Sequence, residues 1–313
     1  MAQKTLQRRH IEALVAVGEA QSVHGAARLM ALPQPAVSRL VTEAEALLGA
    51  RLFDRSSSGS QPTSAGDAAL ARARVLLRGM DRLGQLASAA RPVVTLGCIP
   101  RVMHTLVPSL LDALYPVEGD AAGPDSFRLE VSEDSSAGLL DALARGRLDF
   151  AILRHISGAA GVGGGLRAEH LYDERSCIVC AAENPLAAAR SVSLARLSGY
   201  GWVLPSRETI SREVFDSFWS GQGLQPVRQV IETRSFESIV ALVRQSRFVS
   251  LLPESIAVRQ AALGVVRIVK ARPQLPVCPV MLVSDPLAVE DPALRRLHAL
   301  VHTAAAVTRR ELA

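Results

Sequence analysis

Cysteine is scarce in this chain: Cys98, Cys177, Cys180 and Cys278 are the four among 313 residues. They are too few and too scattered for a disulfide framework, and a chain this long buries enough surface to manage without one. Scattered thiols fit a reducing cytosol. Cys177 and Cys180 form a CxxC, but inside the apolar run 176–182, which reads as a strand. Residues three apart on a strand point to opposite faces, so the pair is not expected to share a metal ion. No apolar run approaches the roughly twenty residues that span a bilayer. Lys4, Arg8 and Arg9 precede an apolar stretch, as in a secretory signal. Glu12 and Glu19 interrupt that stretch, and residues 13–18 are too short for its apolar segment. The expectation is a soluble, cytoplasmic protein with no membrane partner.

Catalytic signatures are missing as well. There is no GxSxG elbow and no HExxH helix, and the seven histidines are dispersed. His298 and His302 stand four apart on an expected last helix, with no third ligand legible beside them. In the glycine-rich run 158–165, Gly161 and Gly163 fit GxGxxG, but Leu166 takes the third glycine's place. The run also lacks the Lys-Ser/Thr ending of a phosphate loop and reads as a linker. These absences argue against an enzyme, a metal site and a bound cofactor. With 49% of residues apolar, intrinsic disorder is excluded too.

What is present begins with the placement of charge. Residues 1–91 hold twelve Lys/Arg against seven Asp/Glu, whereas residues 92–313 hold 23 of each, so the whole net charge of +5 lies in the first third. A basic head on a neutral body fits nucleic-acid binding. Charge alone would fit a membrane-surface or ribosomal contact equally.

The head reads as three short helices and a hairpin. Apolar residues at helical spacing mark a helix over 6–19, and Ser22 is an N-cap for a second over 23–31. A third, over 34–48, buries Val37, Leu40, Val41, Ala44, Leu47 and Leu48 and stops at Gly49. Extended pieces at 51–54 and 59–63 complete a winged helix-turn-helix over residues 1–63. A longer helix at 64–88 places Gly66, Ala69, Ala73, Leu76, Met80, Leu83 and Ala87 at alternating steps of three and four, the 3.5-residue period of a coiled-coil seam. Ala69, Ala73, Leu76, Met80, Leu83 and Ala87 are therefore the expected dimerisation stripe, with Arg72, Arg74, Arg78, Asp81 and Arg82 outside it. A helix packed on its own domain is the other reading of that stripe. Residues 64–91 form the linker helix and hinge.

From residue 93 strands alternate with helices, the sign of an α/β unit with a largely parallel sheet. Strands are expected at 93–99, 127–133, 149–153, 167–172, 175–182, 202–204, 228–232, 248–252, 265–269 and 278–284. Helices fall at 102–114, 135–146, 208–221, 236–245, 254–263 and 291–308. Two lobes follow, one over 93–164 and 269–313 and the other over 165–268, with a cleft between them suited to a small ligand.

At the head the sequence resembles the LysR-type transcriptional regulators. The residues that carry the likeness are Ser22, Ala26-Ala27, Gln34-Pro35-Ala36-Val37-Ser38-Arg39, Glu45, Leu48-Gly49, Leu52-Phe53-Asp54-Arg55 and Pro62-Thr63-Ser64-Ala65-Gly66, without gaps across about fifty residues. Weaker landmarks continue to the end of the chain: Gly146 and Asp149 within 143–153, Leu171-Tyr172-Asp173-Glu174, Asn184-Pro185-Leu186 and Ser250-Leu251-Leu252-Pro253. The resemblance implies a periplasmic-binding-protein-like effector domain, a homodimer or homotetramer, and a cleft ligand that changes how paired heads engage double-stranded DNA. Its chemistry would be that of a small carboxylate, an aromatic acid or a sugar. Pro33 departs from the pattern, standing where the family offers a capping Ser. Ala44 replaces a common Leu, and His24-Gly25 replace the usual polar or basic pair near a phosphate.

Chemistry assigns provisional roles. Gln34, Pro35, Ser38 and Thr42 share the polar face of the third helix, where Gln pairs with adenine, Pro35 meets a thymine methyl and Ser38 reaches a base or phosphate. Arg39 flanks that face and suits guanine or phosphate. Arg51 and Arg55 bracket the wing base and suit phosphate, Arg55 alternatively bonding a backbone carbonyl. Ser22 and His24 join them as DNA-contact candidates. In the body, ligands of parallel sheets sit at the carboxyl ends of strands, which selects Pro100, Arg101, Ser135, Arg154, Ser206, Arg234 and Ser235 as effector contacts. Each arginine alternatively serves as a surface or interlobe salt bridge. The rival readings are a solute-binding protein, which needs an export signal and no basic head, and an α/β enzyme without DNA binding.

Overall fold

Ile11, Leu14 and Val17 recur at three-residue steps and are buried, so residues Arg8–Ala20 form an amphipathic first helix, α1. The Gln7 N–H donates to His10 Nδ1 at 3.0 Å, which leaves the His10 proton on Nε2, 3.2 Å from Glu43. A computed structural model describes residues 5–56, 59–86, 91–115, 127–154 and 165–312. His155, Ala87 and the glycine run up to residue 164 therefore lie outside the described residues, as does the side chain of Arg55.

Ser22 caps α2 (Val23–Leu29) by accepting the Gly25 N–H at 2.9 Å. The third helix, α3 (Gln34–Leu48), has no side-chain cap, because Pro33 occupies that position. Val37, Val41 and Ala44 face the head core together with Leu14, Val17, Ala26, Leu52 and Phe53. Leu48, expected on the buried stripe, is exposed instead at the helix end. Strands β1 (Phe53–Ser56) and β2 (Gly59–Pro62) pair antiparallel as the wing. The Glu45 carboxylate accepts both the Leu52 and Phe53 N–H groups, at 2.7 and 3.2 Å, fastening α3 to the wing.

The linker helix α4 (Ser64–Leu86) starts against the wing so closely that a Cβ at Gly66 would lie 2.0 Å from the Leu52 carbonyl oxygen. It runs antiparallel to α1: Leu70 packs on Gly18 at one end and Arg8 pairs with Asp81 at 2.7 Å at the other. The expected stripe therefore divides. Ala69 packs against the head core and Ala73 is buried, while Leu76, Met80 and Leu83 remain 51%, 38% and 69% exposed. Nor do the arginines outside the stripe face solvent alone. Arg74 donates to the Ala144 carbonyl at 3.2 Å, and Arg72 lies 3.7 Å from Asp285. Both partners belong to the body.

The first lobe contains β3 (Val93–Cys98), α5 (Pro100–His104), α6 (Leu106–Leu114), β4 (Arg128–Glu133), α7 (Ser136–Ala144) and β5 (Phe150–Arg154). The single helix expected at 102–114 is two, broken at Thr105, whose φ and ψ of −121° and −71° are not helical. Next comes β6 (Arg167–Cys180), one strand where two were expected. Leu171 forms a bulge opposite the Val280–Met281 step of β13 (Val277–Ser284), so the ladder bends without ending. Eight of its first nine residues, all but Leu171, pair with β13 and its last five with β10 (Val249–Pro253). Passage between lobes thus falls at Arg175–Ser176, within a strand, rather than at residue 165.

The second lobe adds β7 (Val192–Ser193), α8 (Leu194–Leu197), β8 (Gly201–Pro205), α9 (Ile210–Gly221), β9 (Arg228–Thr233), α10 (Phe236–Arg244), α11 (Glu254–Ala262), β11 (Arg267–Ile268) and β12 (Ala271–Arg272). The chain then returns through β13 to α12 (Pro292–Glu311) on the first lobe. Among the described residues one continuous sheet runs β4-β3-β5-β13-β6-β10-β8-β9, with β11 beside β6. Each lobe's sheet is parallel outside the crossing strands, and one core fills the first lobe with Leu96, Ile152, Leu282 and Leu297. Cys180 belongs to the core on one face of the second lobe's sheet and Cys177 to the other, as strand alternation requires. Burial pushes their thiols up to about 11 and about 12, so neither is a ready thiolate.

Candidate DNA interface and ligand cleft

Two regions gather the residues singled out above. On α3, Gln34, Pro35, Arg39 and Thr42 are exposed and Ser38 is half-buried, on the side away from Val37, Val41 and Ala44. Pro33 supplies only its carbonyl, which accepts the Ala36 N–H at 2.9 Å, so the helix begins with its N-terminus open. The Thr42 hydroxyl is engaged with the Ser38 carbonyl at 2.9 Å. Ser22 is half-buried as the α2 cap, and His24 is exposed beside it. Arg51 is exposed, with Nε donating to the Phe53 carbonyl at 3.1 Å and lying 3.7 Å from Asp54. Sequence reasoning missed Glu45 and Thr63 as the brace behind this surface. Thr63 donates to the Arg51 carbonyl at 2.9 Å and accepts the Gly66 N–H at 3.0 Å.

Between the lobes lies a cavity of about 340 Å³. The carboxyl ends of β3, β4, β5, β8, β9 and β10 all open into it, through Pro100, Ser135, Arg154, Pro205, Thr233 and Pro253. Of the seven expected contacts, Pro100, Arg101, Ser135, Arg154 and Arg234 line it. Ser206 and Ser235 are not among its lining residues. Ser206 is buried, its carbonyl accepting from Thr209, while Ser235 caps α10 by accepting the Ser238 N–H at 3.1 Å.

The floor of the cleft is a buried charge network. Arg101 donates to Glu174 at 2.7 Å, and Arg154 donates to the Glu174 carbonyl oxygen. Both guanidiniums also donate to one hydroxyl, Ser211 of the opposite lobe, at 3.1 and 3.2 Å. Ser255 donates to Glu174 through its hydroxyl and, at 3.0 Å, through its backbone N–H. Burial alone would push Glu174 up, but Arg101, the Ser255 bonds and Arg154 together hold it below the usual carboxylate value. Burial, then the neighbouring Arg101, brings Arg154 down to about 9, so it stays cationic at neutral pH. The exposed lining residues Glu208, paired with Arg234, and Glu213 are acidic, but two cations against one carboxylate leave the buried floor net positive. Helix N-termini at α7 and α9, capped by Ser135 and Thr209, point the same way. Ser211, Glu174 and Ser255 were not expected. Their spacing from Arg101 along the chain carried no signal.

Residues 87–306 match the family described as LysR substrate binding domain, and residues 8–67 match the bacterial regulatory helix-turn-helix protein, lysR family. The chain belongs to the LysR family. Among similar LysR-type proteins, the HTH-type transcriptional regulator GbpR of Rhizobium radiobacter is 30% identical over 256 residues, covering 79% of this chain and 82% of its own. PcaQ of Agrobacterium fabrum is 27% identical over 272 residues, with 86% and 85% covered. Full-length LysG of Corynebacterium glutamicum, solved with bound effector arginine, shares the LysR fold at a TM-score of 0.70, 20% identity, and 96% and 98% coverage. A LysR-type regulator binds DNA through its helix-turn-helix and a small molecule through its effector domain. No helix among the described residues is long and apolar enough to cross a membrane.

Proposed function

We propose that this LysR-type regulator reads operator DNA with the polar edge of α3 and senses a small anion, most simply a carboxylate, in the interlobe cleft. The observation that carries the first half is the exposure of Gln34, Pro35, Arg39 and Thr42 on a helix whose opposite face is sealed by Val37, Val41 and Ala44. Such a helix fits a major groove, with Gln34 and Arg39 reaching base edges and the open N-terminus facing phosphate. Ser22, His24, Arg51 and Arg55 flank it as backbone contacts.

The second half rests on the positive floor made by Arg101 and Arg154 and on the hydroxyls above it. A cavity of about 340 Å³ suits a compact ligand. The ligand's effect has a route to the head. Helix α7 begins at the cleft, where the Ser136 hydroxyl accepts the Arg154 N–H at 3.3 Å, and ends where Arg74 holds the Ala144 carbonyl. Self-association through Leu76, Met80 and Leu83 pairs two heads, and the assembly works in the cytoplasm as a regulator without catalysis.

Titration of the untagged protein with DNA from upstream of its own gene tests the reading, at several salt concentrations and with a panel of small carboxylates. Arg39→Ala is expected to cost about 1–3 kcal/mol of DNA affinity and to relax preference at one base pair. Unchanged affinity on every sequence would remove Arg39 from the interface, as a base contact and as a phosphate contact alike. Arg154→Ala is expected to abolish the ligand-induced shift in melting temperature.

A further inference from the structure

The pair His298 and His302, left without a companion in the sequence, gains one in the fold. Helix α12 packs across β6, and Glu169, the third residue of that strand, stands under both rings. His298 Nε2 lies 2.9 Å from one Glu169 oxygen and His302 Nε2 lies 3.4 Å from the other. The two imidazole rings are 4.6 Å apart between centroids. One donor atom from each of the three residues falls within 4.8 Å of the other two.

We propose that Glu169, His298 and His302 form a transition-metal site that clips α12 to β6 in the first lobe. Nitrogen and oxygen ligands of Zn²⁺ sit about 2.0–2.2 Å from the ion, which in a tetrahedron sets them about 3.3 Å from one another. The separations of 2.9 and 3.4 Å, one to each Glu169 oxygen, lie near that value, and with all three donors within 4.8 Å of one another modest side-chain rotation brings them onto one ion. The second observation is His302 Nε2 itself, a solvent-shielded atom whose 3.4 Å approach to Glu169 does not close a well-formed hydrogen bond. A shielded ring nitrogen without a well-formed bond is costly, and coordination satisfies it. Two imidazoles and one carboxylate suit Zn²⁺, Co²⁺ or Ni²⁺ rather than Mg²⁺ or Ca²⁺, which prefer oxygen ligands throughout. Three protein donors leave a fourth position for water. An incoming ion is opposed by Arg167, exposed and 3.6 Å from a Glu169 oxygen, and by Arg309, which acts on His302 and donates to the Leu171 carbonyl at 2.6 Å.

The test uses metal-free, untagged, full-length protein. Titration with Co²⁺ is expected to give one ion per chain and visible d–d bands, without the near-ultraviolet charge transfer that thiolate ligands produce. Zn²⁺ is expected to displace Co²⁺ and to raise the melting temperature. Glu169→Gln, His302→Ala and the milder His302→Gln are each expected to weaken binding at least tenfold, while circular dichroism and cleft-ligand binding stay unchanged. Equal Co²⁺ affinity in all three variants overturns the site, and so does thiolate charge transfer or the absence of one-to-one binding at micromolar metal.

Discussion

Arg78 of the linker helix lies 3.3 Å from Asp149, whose other carboxylate oxygen accepts the Thr95 N–H and hydroxyl at 2.9 and 3.0 Å. The same guanidinium donates to the Leu148 carbonyl at 2.7 Å. Gly146, on the turn just before, has φ of 65°, and a Cβ there would lie 2.6 Å from Arg74 Cβ. Linker and first lobe are thus in backbone-level contact where α7 ends. Arg78→Ala is expected to leave DNA affinity and ligand affinity each within a few-fold of normal. The change in DNA affinity caused by ligand is expected to shrink by about 0.5–2 kcal/mol. Fluorescence anisotropy with and without ligand measures it.

Glu45 accepts two backbone N–H groups from the start of the wing, and Leu52 beside it is buried. Glu45→Ala strands those donors and is expected to destabilise the head by about 1–3 kcal/mol. Hydrogen exchange is expected to quicken at Leu52 and Phe53 more than in the lobes.

Glu174 is the most deeply buried of the effector-domain carboxylates held below their ordinary value, and contributes to the acid sensitivity of that domain. Its folded pKa is depressed, so the stability it contributes is complete above the ordinary carboxylate value of 4.5 and is lost as pH falls through the lower folded value. Glu174→Gln leaves Arg101 and Arg154 without their buried counter-charge and is expected to cost about 3–5 kcal/mol at pH 7. Its melting temperature should then fall less steeply on acidification than that of the unaltered protein, which calorimetry between pH 3 and 7 records.

Leu83 and Leu76 form an apolar stripe with Met80 on the outer side of α4. Leu83→Glu together with Leu76→Glu is expected to shift sedimentation toward the monomer without loss of helix content. Retention of the same oligomer would place self-association elsewhere.

The head was legible because its signals are local. The spacing of Val37, Val41 and Ala44, the cap at Ser22 and the stop at Gly49 act within a few residues, and the motif from Gln34 to Gly66 has no gaps. Strand ends also led to five of the cleft's lining residues, since the carboxyl-end rule needs only the order of elements. What escaped depends on distant pairs. Glu174 meets Arg101 across 73 positions and Glu169 meets His298 across 129, separations that leave no periodic trace. Ser206 and Ser235 sit at the right strand ends yet do not line the cavity, because one is buried among its neighbours and the other is spent on a helix start. The linker stripe misled for a related reason. Its 3.5-residue period describes a face, but half of that face is taken by α1 of the same head.

Strand β6 serves both lobes by changing partner from β13 to β10 at Arg175–Ser176, so they share a spine rather than a tether. Halves joined by slack chain can drift apart in any direction. Halves bound to a common spine are constrained by the pairing on either side of Arg175, so any relative movement must bend a strand that both share.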